Sequence, residues 1–398
     1  MSSINRHATR RASERVRLRR DLPLIIAAVA FLSSGLSAQK IEIDTSACAA
    51  AFRVLKAMNG GAPRETVSAM LDAVLDSRPY QVMFRHYNRF WRPNHLPRDV
   101  FKRMILSLRF EDAYARGENE RADKMLATWR RFYEDLPLFE RNLRQLEKAN
   151  LPKLVRGAVR YAQSWLPPGW RIPDFYLCIH PDGGSPGFAL PGEQGFDFFQ
   201  VPRSAAGDME WDKLLGTISH ECHHLGMKLT SPSPLSPADK VAFQFLTYFV
   251  GEGTATKFIS KAPGGSVPVV TSVKFPTAFT GDLLAAWKDQ TSRERQIFER
   301  LVTTFDKACA GEMTATDLEK ETGDWFGGLV GPAYFAGAEL FGAIYFAFGK
   351  KGVFAAMEDP RRLFDLYDRA IDKKPRLLSG CPRIPTKTVE QALAIGRS

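Results

Sequence analysis

Five consecutive residues, His220-Glu221-Cys222-His223-His224, concentrate the chemistry of this chain, for three of its seven histidines fall there. On a helix, residues four apart lie about 40° apart around the axis, so His220 and His224 share one face. Two imidazole nitrogens placed so can reach one zinc ion at about 2.0–2.1 Å. Glu221 cannot easily share that ion, but it can face a water held there and take its proton; this is the arrangement H-E-x-x-H. His220 with His223 would make a feasible i,i+3 pair, yet only the first pairing sets a base beside the water. Cys222 points away from both histidines and is expected to pack. Leu214, Leu215, Ile218, Leu225 and Met227 make much of this helix apolar, as a core helix is, which argues against a merely solvated His/Glu turn.

Two ligands are too few, because a catalytic zinc usually has three from the protein plus a water. Glu252, in Gly251-Glu252-Gly253-Thr254-Ala255, is a lone carboxylate inside the apolar run Val241 to Phe258. An unpaired charge there is costly, and zinc would relieve it. Gly253 and Ala255 would let this helix approach the histidine helix closely. The alternative for Glu252 is a buried salt bridge to Arg or Lys. The rival third ligands are His180, which precedes Pro181 and a glycine loop; Asp197, which could instead orient a ligand histidine; and His223, which would point away.

With these residues in place, the chain resembles the gluzincins, zinc peptidases with a glutamate as third ligand. More narrowly it resembles bacterial zinc-dependent peptidases that carry H-E-x-x-H and then E-G-x-A, here Glu252-Gly253-x-Ala255. The likeness extends to short strands before the metal helix and to a downstream Tyr-x-x-Gly helix, Tyr334 to Gly337, and covers about residues 170–345. It implies a zincin-like core, one Zn2+ on His220, His224 and Glu252, and hydrolysis of a peptide or protein substrate. The zinc would polarise the scissile carbonyl and acidify its water, while Glu221 takes a proton and returns it to the leaving amine. An edge strand, sought between Phe188 and Phe199, would hold an extended peptide. The better-known gluzincins place an aspartate four residues after the third ligand to support a histidine. Thr256 stands at that position here, so the partner of the ligand histidine is left unassigned. Tyr334 is a candidate hydrogen-bond donor to the oxyanion, since a phenol on an apolar helix needs a partner; a core tyrosine bonded to backbone is the competing reading.

The elements that must position these groups read as mainly α with a small β-sheet, an α+β fold. After Gln39 the pattern is mostly helical: a helix capped by Asp44 or Thr45 and running through Met58, one starting at Pro63, and others near 97–115, 118–147 and 151–165. From Ile172 to Val201 the pattern changes to two or three short strands, around Phe175–Ile179, Phe188–Leu190 and Phe196–Phe199, joined by glycine turns. Helices resume near Glu210, with others over about 238–259, 280–309, 314–325 and 332–348. Gly327 to Gly349 is apolar except for Glu339. Pro332, the interior glycines and that carboxylate fit a buried helix near a polar site better than a membrane span.

The first 38 residues read as a signal peptide. Seven Arg stand against Glu14 and Asp21, and the uncharged run Leu22 to Ala38 follows, with Leu36-Ser37-Ala38 as a cleavage site. Its apolar heart is short for a membrane-spanning helix. A periplasmic or secreted protein is expected, an uncleaved anchor being the alternative. Residues 39–168 are then an N-terminal helical region and 169–398 the peptidase core with C-terminal helices. Of the net charge of +11, the leader holds +5. The remainder forms no dense basic stripe, so no nucleic-acid partner is expected, and a membrane partner only through an uncleaved leader. Five widely spaced cysteines without a CxxC disfavour a cysteine-only zinc site; one or two disulfides are possible, and the odd number leaves a free thiol. Two other functions fit the same residues: a zinc amidase acting on cell-wall peptides, and a non-catalytic, zinc-stabilised periplasmic binding protein. The base at Glu221 speaks against the second.

Overall fold

In a computed structural model, residues 39–89, 95–204, 206–273 and 277–397 are described; the expected signal peptide lies outside them. A short strand, β1 (Ile41–Asp44), opens the chain from Ile41 onward, which packs as one unit. Asp44 Oδ1 then accepts the Ser46 N–H at 2.8 Å, and α1 (Ser46–Asn59) begins. Six helices follow: α2 (Arg64–Leu75), α3 (Arg78–Asn88), α4 (Arg98–Leu106), α5 (Glu120–Glu134), α6 (Leu136–Lys148) and α7 (Leu151–Gln163). The stretch expected as one helix near 118–147 is two, because the side chain of Asp135 caps α6 and Pro137 occupies its first turn.

The sheet comes next. β2 (Phe175–His180) is buried at every residue, as a central strand covered on both faces must be. It pairs in parallel with β1 on one side and with β4 (Glu193–Asp197) on the other. β3 (Gly187–Leu190) pairs antiparallel with β4 through a two-residue turn, where Gly192 takes a φ of 73°. The order is β1-β2-β4-β3. The third strand starts earlier than expected, and Phe198–Gln200 is a 3-10 turn. Only the first part of the 188–199 segment is therefore an edge; β4 is interior. β1, from the region expected to be helical, forms the other edge of the sheet.

The catalytic-type motif lies on α8 (Trp211–Gly226), which packs against α7 and β3. The next helix, α9 (Pro237–Thr254), runs on into a π-helical turn, Ala255–Ile259. The rest is α10 (Gly281–Ser292), α11 (Glu294–Cys309), α12 (Ala315–Phe326), α13 (Pro332–Glu358), α14 (Leu363–Lys373) and α15 (Thr386–Ala394). By length and composition α13 could cross a membrane. It packs instead along α9, and its Glu339 is fully enclosed. That carboxylate accepts the Val267 N–H at 2.7 Å and lies 3.4 Å from the Lys257 ammonium, also fully buried. A buried charge is tolerable only when paired and hydrogen-bonded in this way. All five cysteines carry free thiols, four of them buried.

Candidate metal centre

The buried face of α8 is set by Leu214, Ile218 and Cys222, spaced by four, with Ser219 and His223 beside them. That burial turns His220, Glu221 and His224 toward a partly open side. Glu252, near the end of α9, meets them: its Oε2 lies 3.2 Å from His220 Nε2 and 3.4 Å from His224 Nε2. One ligand atom from each residue falls within 4.8 Å of the others. Two atoms bound to one zinc at about 2.0–2.1 Å, at a tetrahedral angle, are roughly 3.4 Å apart. The two His-to-Glu spacings match that edge, and a nitrogen, nitrogen, oxygen donor set suits zinc. The residues present fit the ion.

Small residues flank Glu252 on α9. Gly251 faces His224: a Cβ at Gly251 would stand 3.7 Å from His224 Nδ1. Gly253 does not serve the histidine helix, as its small size suggested. A Cβ there would come within 2.6 Å of the Gly337 carbonyl, so Gly253 and Gly337 form a bare crossing of α9 and α13. Ala255 is buried and opens the π turn, which packs against α8 and whose hydrogen bond runs from the Ser260 N–H to the Ala255 carbonyl at 2.9 Å.

This turn places a group that the sequence left unassigned. Ser260 is eight residues beyond Glu252, which on an unbroken α-helix is about 80° away around the axis. The π turn takes up one extra residue, so Ser260 stands roughly where a seventh residue would, about 20° off. Its Oγ reaches His220 Nδ1 at 3.1 Å. Ser260, rather than Thr256, meets His220; Thr256 is buried.

Charge at the site is tightly coupled. Burial pushes the Glu252 carboxyl up, but the two imidazoles outweigh it and hold the group below the ordinary carboxylate range. Burial pushes His224 down, yet Glu252 outweighs it and lifts the imidazole to about 9. Glu221 is raised, chiefly by burial and also by Glu252, against the opposing pull of His220, His224 and Arg89. A carboxyl shifted toward neutrality is a better-matched base than a solvated one. His223 is pushed down to about 3, by burial first and by the two neighbouring imidazoles, and stays neutral. Tyr334 stands within electrostatic reach of Glu252 and Glu221; burial and these two charges keep its phenol protonated. Its ring meets Phe326 edge-on at 5.6 Å, and its hydroxyl makes no hydrogen bond among the described residues. A cleft of about 390 Å³ opens beside Glu252, lined among others by His224, Tyr248, Gly251 and Phe326.

The rivals for the third ligand lie elsewhere. His180 is buried beside Asp182, 3.3 Å away. Asp197 accepts the N–H groups of Asp182, Gly183 and Phe199, so it organises the loop before β3 and orients no ligand histidine. His223 is fully buried on the far face. Cys222 packs as expected, against Gln194. Besides Ser260, the sequence reading missed Arg89, just past the end of α3. Its guanidinium donates to the Ala189 carbonyl of β3 at 3.2 Å; burial lowers its pKa, against the opposing pull of Glu221, Glu252 and Tyr248. Nothing local in the sequence marks a single arginine at a helix end.

A mainly helical fold with a small sheet, presenting His, His and Glu around one point beside a second glutamate, defines a candidate zinc centre. Residues 71–376 match the model of the family described as putative zinc dependent peptidase, DUF5700. That is well over half of the chain, and the chain belongs to this family. No curated protein and no solved structure matches it.

Proposed function

We propose that this protein hydrolyses peptide bonds with one zinc ion held by His220, His224 and Glu252. The observation that carries the reading is the position of Glu252 Oε2, at 3.2 and 3.4 Å from the two Nε2 atoms, with Glu221 adjoining. Bound zinc supplies Lewis acidity toward the scissile carbonyl and the attacking water. Glu221 takes the proton of that water and delivers it to the leaving amine, for which its raised pKa suits it. Tyr334, whose hydroxyl makes no hydrogen bond among the described residues and which lies within electrostatic reach of both glutamates, donates to the oxyanion. Ser260 holds His220 in one ring orientation. β3, the edge strand, lends its outward Gly187 and Ala189 N–H groups to an extended substrate, their carbonyls being taken by Ser185 and Arg89. Export with removal of residues 1–38 belongs to the same proposal.

The test is metal analysis of the purified protein, followed by cleavage of a peptide library with and without a zinc chelator. One zinc per chain and chelator-sensitive cleavage are expected. Glu221→Gln should keep the zinc and lose about 10²–10⁴-fold in turnover. Absence of zinc after reconstitution overturns the reading, and full turnover in zinc-loaded Glu221→Gln removes Glu221 as the base.

A further inference from the structure

The cleft beside the candidate ligands is walled by three elements. His224 lies in the last turn of α8, and Met227 and Leu229 lie on the chain leaving that helix. Thr247, Tyr248 and Gly251 come from α9, and Phe326 ends α12. Tyr248 stands four residues before Glu252, so the two share a face of α9. Phe326 meets the Tyr248 ring edge-on, with centroids 5.6 Å apart. Gly251 keeps the space between His224 and Met227 open: a Cβ there would stand 3.7 Å from His224 Nδ1 and 3.8 Å from Met227 Sδ.

The polar groups of this wall are committed elsewhere. Thr247 Oγ1 donates to the Gln244 carbonyl at 2.7 Å, and the Tyr248 hydroxyl accepts from Gln244 Nε2 at 2.7 Å. The charged lining residues, His224 and Glu252, are two of the three that would hold the metal. The rest of the wall is a thioether, an isobutyl group, two aromatic rings and a bare glycine. It offers nothing to pair with a charged side chain, and enclosing one unpaired is costly. An apolar side chain loses nothing there and gains by leaving water. At about 390 Å³ the cleft is at the small end for ligand sites, room for one large side chain and its backbone and not for a long segment. Since His224 and Glu252 form part of the wall, a side chain lodged in it belongs to a residue beside the bond at the metal.

On the peptidase reading above, we propose that this cleft binds one large apolar side chain, aliphatic or aromatic, from a residue flanking the scissile bond, and that Met227, Leu229, Tyr248 and Phe326 set that preference. Peptides with Leu, Met or Phe at the flanking position are the substrates. Gly or Ala there leaves the cleft unfilled, and Asp, Glu, Lys or Arg brings a charge that the wall cannot pair. The four wall residues touch the substrate side chain and none of the reacting atoms; they determine specificity.

The experiment uses the zinc-loaded protein and a peptide series varied at one position on each side of the cleaved bond in turn, with products identified by mass spectrometry. At one of the two positions Leu or Phe should exceed Ala about ten- to a hundredfold in kcat/KM, with charged residues lower still. Leu229 is the residue to change, since it is half-buried on a loop and is no candidate ligand. Leu229→Trp fills the cleft and should move the preference toward Ala; Leu229→Glu should raise Lys and Arg above Leu. Calorimetric binding of the Leu and Ala peptides to zinc-loaded Glu221→Gln should give the same ranking without turnover. Chelator-sensitive cleavage with no apolar preference at either position overturns the proposal and leaves the peptidase reading intact. Leu229 variants that slow every peptide alike, or that leave the ranking unchanged, overturn it too. Cleavage of no peptide in the series or in a random library by zinc-loaded enzyme overturns the peptidase reading itself.

Discussion

Removing the hydroxyl of Ser260 tests whether the π turn serves the metal. A histidine that binds a metal through Nε2 carries its proton on Nδ1, and a partner there fixes the tautomer and the ring plane. The Ser260 Oγ, 3.1 Å from His220 Nδ1, is placed to accept that proton's hydrogen bond. A neutral hydrogen bond contributes about 0.5–1.5 kcal/mol net, or roughly two- to twelvefold in an equilibrium constant. Outer partners of metal ligands commonly weigh more, about 10–100-fold, because misorientation of the ring is added. His220 is 15% exposed, so water can partly replace the serine and the lower range applies. Ser260→Ala should therefore weaken zinc binding about three- to tenfold, and Ser260→Thr should recover most of the loss. Glu252→Ala, which leaves two protein ligands, should weaken it by orders of magnitude. Competitive titration against a chromophoric chelator measures all three, with matched thermal melts to show that the variants are folded. If Ser260→Ala binds zinc within twofold of the parent, the hydroxyl does not orient His220 and the account of the π turn fails.

Three further outcomes follow from the same structure. Tyr334→Phe should lower kcat about tenfold or more while zinc content is unchanged; an unchanged kcat in steady-state assays would leave Tyr334 only its packing against Phe326. Gly253→Ala places a Cβ within 2.6 Å of the Gly337 backbone and should cost about 1–3 kcal/mol in urea unfolding, with no loss expected only if α9 and α13 can part freely. Glu294 is buried on α11, with Oε2 accepting from Ser266 Oγ at 2.7 Å, and burial lifts its carboxyl to about 7. Between its ordinary value of 4.5 and about 7 the folded protein binds more protons than the unfolded chain, so this group makes stability fall as pH rises through that window. Glu294→Gln should flatten the fall in urea midpoints over that range, and an unaltered slope would show that Glu294 does not titrate there.

Some of the site was legible because it is local. The four-residue spacing of His220 and His224 closes within one helical turn, so no tertiary information is needed to bring the rings together. Glu252 was legible by its cost: a carboxylate in the run Val241 to Phe258 has to meet something, and the fold brings it to the histidines. The helical and strand-forming segments around the site followed from periodicity in the same way, as did the burial of the apolar helix around Glu339. Gly253 was read correctly as a point of close approach, but its partner was not, since a glycine shows that a backbone comes near without showing which.

What the sequence picked out by itself, then, is the candidate cluster His220, His224 and Glu252, which the fold brings together, and the mainly helical frame around a small sheet. Tertiary structure alone decided the groups that surround them. β1 pairs with a strand more than a hundred residues away, and no local signal in Ile41–Asp44 names that partner. Ser260 reaches His220 only because the helix widens to a π turn, a change of register that depends on how the end of α9 packs. Arg89 reaches the edge of β3 only because α3 and the hairpin stack against each other. The physical reason is the same in each case: helical spacing is a property of bonds along the chain, whereas these placements depend on distances across it.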